Sequence, residues 1–139
     1  MRITGLQQPE ELVRVERLRL LHGQPFVAET QYFLHRLCPG LHERDLDISV
    51  SPREVLRAAY GLNLGSAEQT IHAKLSNSQD MKRLTLKEPM ALLVVQSKTY
   101  LKGGELLEFS DGIFRGDCVH MLLNMDLTRW QTTRSASLT

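Results

Sequence analysis

The 139-residue chain is notable first for what it has little of. Two cysteines, Cys38 and Cys118, are too few for a disulfide framework, and neither sits in a metal-ligand pattern. The five histidines, at positions 22, 35, 42, 72 and 120, lack zinc-site spacing as well, so neither metal nor cofactor is expected. There is no charge bias. Seventeen Lys plus Arg face sixteen Asp plus Glu, a formal net charge of +1, which gives no bulk attraction to nucleic acid or to a membrane surface. The longest apolar run, Met90 to Val95, is far too short to cross a bilayer, and the N-terminus carries no apolar signal region. These absences leave a single domain of ordinary globular composition, expected in a reducing, cytoplasmic setting without membrane partners.

What the chain does have is a pair of arginines in an unusual place. Leu12 to Leu21 reads as a buried β-strand, yet Arg17 and Arg19 share the alternating side that also carries Val13, Val15 and Leu21. An apolar face that ends in two guanidiniums needs an anion. Either Glu29 of the following strand supplies it across a hairpin, or a bound molecule does.

The punctuation along the chain predicts the remaining elements. His22-Gly23-Gln24-Pro25 turns the first strand into a second, Phe26 to Leu34. Ser51, Pro52 and Glu54 mark a helix start with a capping-box spacing, Val55, Leu56 and Ala59 form its apolar stripe, and Gly61 ends it in a left-handed conformation. Ser66 to Ser76 alternates as a strand with one solvated side. Asn77-Ser78 caps a short helix over residues 79–84. Met90 to Leu101 reads as an interior strand, and Lys102-Gly103-Gly104 returns the chain into Glu105 to Arg115. Asp117 to Leu127 fits a strand or a helix, with context favouring a strand. The polar tail, residues 131–139, is expected to be disordered. A weak internal repeat relates Leu20-Leu21-His22-Gly23 ending in Glu29 to Tyr100-Leu101-Lys102-Gly103 ending in Glu108. Hairpins interspersed with two helices predict an α+β fold, a mainly antiparallel sheet flanked by helices. Arg115-Gly116-Asp117 reads as the turn ending a strand rather than an adhesion motif.

The order Arg17-Leu18-Arg19, Gly23-Gln24-Pro25 and Glu29, then Pro39-Gly40-Leu41, resembles the UTRA domain, the effector-binding module of GntR-type regulators of the HutC subfamily. The likeness continues through the Ser51 helix ending Ala59-Tyr60-Gly61-Leu62, through Ala67 to Ile71, and closes with Glu108-Phe109-Ser110 and Arg115-Gly116-Asp117. It spans Leu6 to about Asp126. The resemblance implies a chorismate-lyase-like fold that binds a small acidic metabolite, dimerises, and signals to a winged helix-turn-helix domain. It further implies that Arg17, Arg19 and Ser51 grip an anion while Glu29 and Glu108, with Phe114 beside them, hold the rest of the ligand. Two departures bear on ligand choice: Arg53 stands where the family often has Tyr, adding a cation, and Phe114 replaces a frequent Tyr. On this reading residues 1–130 are a ligand-sensing domain that starts about one strand and one helix late, and DNA would be contacted only through an N-terminal domain outside this chain. The physics of the residues agrees: guanidinium forks suit phosphate or carboxylate, and a helix start presents free N–H groups.

An enzyme reading stands as the alternative, because chorismate lyase shares the implied fold. Glu29 or Glu108 beside the arginines could do acid–base work on a small carboxylic acid. No residue stands out as a nucleophile or as a base with an orienting partner, so no catalytic residue is assigned.

Overall fold

The computed structural model describes residues 10–41 and 52–128. Five strands and two helices follow in the order β1 (Leu12–Leu21), β2 (Gln24–Leu34), α1 (Pro52–Tyr60), β3 (Leu64–Leu75), α2 (Ser78–Arg83), β4 (Ala91–Leu101) and β5 (Leu106–Arg115). The strands form one antiparallel sheet in the order β1-β2-β5-β4-β3, which is the expected α+β architecture.

Local chemistry accounts for the connections. The β1–β2 turn places His22 and Gly23 at φ 50° and 78°, the left-handed pair that a two-residue hairpin requires. Asn77 caps α2: its side chain accepts from Asp80 N–H, and the Asp80 carboxylate accepts from Asn77 N–H in return. Gly61 ends α1 at φ +65° as expected, and its N–H reaches the Arg57 carbonyl at 3.0 Å. The Ser51 cap lies outside the described residues.

Helix α1 lies over one end of one sheet face. Leu56 is fully buried there with Val15, Phe33, Cys38, Leu41 and Leu107. Its apolar stripe is Val55, Leu56 and Tyr60, whereas Ala59, expected in that stripe, is exposed. Leu107 reaches this cluster because it is the extra residue of a bulge between β4 and β5. The opposite face carries Ala28, Leu92, Val94 and Ile113, covered by Leu84, Leu86 and Met90 of the α2 segment.

Three expectations are corrected. β1 is not a buried strand: it is a sheet edge on which only Val15 is buried, while Leu18, Leu20 and Leu21 are exposed. β3, the other edge, is exposed on both sides, Ile71 and Leu75 included, because neither helix extends over it. Asp117 to Leu127 contains no strand. The Gly116 N–H closes onto the Ala91 carbonyl at 2.9 Å and the Arg115 guanidinium chelates the Asp117 carboxylate, so the chain turns out of the sheet at the end of β5. That turn is the expected role of Arg115-Gly116-Asp117.

Gly65 is the extra residue of a bulge between β3 and β4, where an added Cβ would lie 2.8 Å from the Leu101 carbonyl oxygen and from Lys102 Cα. Backbone cannot yield as a side chain does. Gly65→Ala is therefore expected to cost about 1–3 kcal/mol in urea denaturation, the usual range for overpacking.

Candidate functional site

The pairing register assembles the site. Arg17 faces Glu29, Glu29 faces Gly112, and Gly112 faces Val95, so these four side-chain positions form one row across the sheet. The neighbouring row holds Arg19, Val27, Phe114 and Leu93. Moving the other way, the rows are Val15-Gln31-Ser110-Ser97 and then Val13-Phe33-Glu108-Thr99. All four rows point to the side on which α1 packs. Because α1 covers only the Val13 and Val15 end over β1 and β2, the remainder is left open as a cleft.

That cleft, about 230 Å³, is lined by Glu29, Glu108 and Phe114 together with Gln69, Ser97, Thr99, Ser110 and Gly112. Three of the residues singled out in the sequence thus meet at one cavity. The internal repeat explains the acids: the local two-fold of the β2–β5 pair passes through Gln31 and Ser110, and it relates Glu29 to Glu108. Gly112 lies in the cleft floor directly opposite Glu29. A Cβ there would stand 3.0 Å from the Phe114 ring, so glycine lets the ring lie against the sheet.

Arg17 and Arg19 lie on the same face at the β1 margin, half-buried. Neither forms an ion pair with any acid among the described residues, Glu29 included, although Arg17 and Glu29 are register partners. Arg19 Nε is buried with no hydrogen-bond partner among the described residues. The hairpin ion pair, one of the two readings of the sequence, is not made. Ser51 lies outside the described residues. Arg53 belongs to α1, but its side chain is outside them too.

Sequence reasoning missed Gln31 and Thr99. Gln31 is buried and its Nε2 donates to Glu108 Oε1 at 2.9 Å, while Thr99 also hydrogen-bonds that carboxylate. The available signal was parity, since Gln31 follows Glu29 by two residues. Burial pushes the Glu108 carboxyl above its ordinary range, and the Glu29 charge adds to this against the Gln31 and Thr99 bonds and the Arg17 charge. Beneath it, burial raises the Cys38 thiol to about 11, with a smaller contribution from Glu108.

A carboxyl raised in the fold favours folding when protonated. That contribution is complete below the unfolded pKa and is lost as pH rises through the folded one. Glu108→Gln, which keeps an acceptor for Gln31, is thus expected to raise Tm by a few degrees at pH 7. The gain should shrink toward zero as pH falls below the ordinary glutamate range. Melting curves of both proteins across pH 3.5–8 check the sign.

Residues 1–120 match the UTRA domain. The chain belongs to the UTRA domain family.

This UTRA domain is 21% identical over 124 residues to the HTH-type transcriptional repressor NagR of Bacillus subtilis, covering 89% of this chain and 50% of that protein. It therefore spans about half the length of the curated relative. A GntR-family transcriptional regulator from Enterococcus faecalis superposes with a TM-score of 0.73 at 24% identity, over 82% of this chain and 81% of the other. The effector-binding domain of the B. subtilis trehalose repressor TreR gives 0.69 at 21% identity, over 80% and 76%. The UTRA domain family and the antiparallel fold expected from the sequence are thus established. Among the described residues, no helix of this UTRA domain is long and apolar enough to cross a membrane, and no three His, Cys, Asp or Glu side chains group as metal ligands.

Proposed function

We propose that this domain is the effector-sensing module of a GntR-type transcription regulator of the HutC subfamily, and that it binds a small anionic metabolite. The observation that carries the reading is a pair of guanidiniums, on the face of the acid-lined cleft, that form no ion pair among the described residues. Arg17 and Arg19, with Ser51 and Arg53 at the helix start, receive a phosphate or carboxylate. Glu29 and Glu108 accept hydrogen bonds from the ligand's hydroxyl or amino groups, and Phe114 supplies an apolar wall. Polar groups along the cleft, Ser97, Thr99 and Ser110 among them, suit a ligand with several hydroxyls better than a fatty acyl chain.

In the full-length protein the domain acts as a homodimer in the cytoplasm, and DNA is contacted only by an N-terminal helix-turn-helix domain. A ligand that binds one arrangement of the dimer more tightly than another changes operator affinity by that difference. On this reading the domain is a sensor rather than an enzyme, and Glu108, held by Gln31 and Thr99, binds the ligand instead of transferring protons.

A thermal-shift screen of sugar phosphates, phosphonates, imidazole acids, fatty acids and small carboxylic acids tests the reading. At least one phosphate- or carboxylate-bearing compound should raise Tm with rising concentration. A Tm that none of them moves counts against sensing, and turnover of chorismate above background would replace it with the enzyme reading.

A further inference from the structure

Beside the acid-lined cleft lies a larger cavity of about 600 Å³, between α1 on one side and the start of β3 with the β4–β5 turn on the other. The two meet at Ala67, Thr99 and Glu108, which line both. Arg57 enters the outer cavity from α1 and Lys102 from the opposite wall. Neither is in an ion pair among the described residues. Glu54, one helical turn before Arg57, is the acid facing them besides the shared Glu108, and it forms no ion pair with either cation.

The Lys102 wall is built rather than loose. Lys102 N–H donates to the Asn63 carbonyl at 2.9 Å, and Gly65 brings β3 so close that a Cβ would touch the Lys102 backbone. Arg57 stands in the last turn of α1, where its charge complements the helix dipole, but that leaves Lys102 without a reason to face it. Two cations brought by different elements to one cavity, which Asn63 and Ser66 also line as neutral donors, form a receptor for an oxyanion.

We propose that this outer cavity is a second anion subsite, in which Arg57 and Lys102 hold a carboxylate or phosphate group between them. It is separate from the Arg17 and Arg19 end. The Phe114 row and the Glu108 row are six residue steps apart along β5, about 20 Å of strand. The anion is either a second acidic group of an elongated effector or an independent small anion, and the subsite itself does not depend on the sensing reading.

The test is a titration of the isotope-labelled 139-residue chain with inorganic phosphate at constant ionic strength, followed through backbone amide shifts. Saturable shifts are expected at Asn63, Gly65, Ser66 and Lys102. Replacing Arg57→Gln and Lys102→Gln together should weaken them at least 10-fold, whereas Arg17→Gln with Arg19→Gln should leave them in place. Preserved amide dispersion verifies that the variants fold, and Arg57→Lys should restore most of the affinity. Fructose 1,6-bisphosphate separates the sources. Outer-cavity and β1 amides moving together at one tighter affinity mean a single two-ended ligand, and outer-cavity amides moving alone with the affinity of phosphate mean an independent anion. Shifts confined to β1 amides would support the sensing site and overturn this subsite. Linear, unsaturable shifts at the cavity, or shifts indifferent to Arg57 and Lys102, would overturn it as well.

Discussion

Phe33→Ala is expected to lower the unfolding free energy by about 3–5 kcal/mol, the range for removing a fully buried aromatic ring. Phe33 has no exposed surface and shares its cluster with Val15, Leu56 and Leu107, so its ring is what binds α1 to the sheet. Its register partner is Glu108, which places the loss beside the acid-lined cleft. Urea denaturation should show a lower midpoint with the slope nearly unchanged, since the same surface is exposed on unfolding. A cost below about 1 kcal/mol would mean that the ring's cavity collapses freely, contrary to a helix docked through Leu56.

The consequence for the site is asymmetric. Phe33 and Val15 lie under the helix, whereas Gly112, Val95 and Phe114 lie beyond it in the sheet. Phe33→Ala should therefore disturb the α1 wall of the outer cavity more than the Glu29 end of the cleft.

Much of this was legible in the sequence because turn chemistry is local. His22-Gly23 specifies a hairpin, Asn77 with Asp80 specifies a helix start, and Gly61 a helix end, each from its own few atoms. Coverage is not local. The alternation in β3 separates Ile71 from His72 but says nothing of whether a helix will lie over Ile71, and none does. For the same reason β1 reads as buried though it is an edge, and Asp117 to Leu127 reads as a strand though it joins neither open edge of the sheet.

The site divides along the same line. Charged residues of one parity, Arg17, Arg19, Glu29 and Glu108, are conspicuous in a strand because burying them needs a reason. Gly112, Ser97 and Gln69 shape the cleft by being small or polar, which no pattern flags, and Gln31 matters only through its 2.9 Å bond to an acid 77 positions away. The outer cavity was invisible for a stronger reason: Arg57 and Lys102 each look like ordinary surface cations until the fold brings them to one cavity.

Replacing Arg17→Gln together with Arg19→Gln is expected to weaken binding of a phosphate- or carboxylate-bearing effector by roughly 10²–10⁴-fold. Each hydrogen bond to a charged group is worth about 1.5–3 kcal/mol, and 1.4 kcal/mol is a factor of ten in affinity. The same change should leave Tm without ligand equal or slightly higher, since neither guanidinium is ion-paired among the described residues and Arg19 Nε is buried without a partner. That combination separates function from structure. A stabilising ion pair would lose Tm on substitution and keep ligand affinity, whereas a ligand grip loses affinity and keeps Tm. In the full-length regulator the double variant should bind its operator as tightly as the parent and no longer respond to effector. A variant that melts several degrees lower yet still responds would return both arginines to a structural role, because binding energy held in reserve for a guest is not missed by the empty fold.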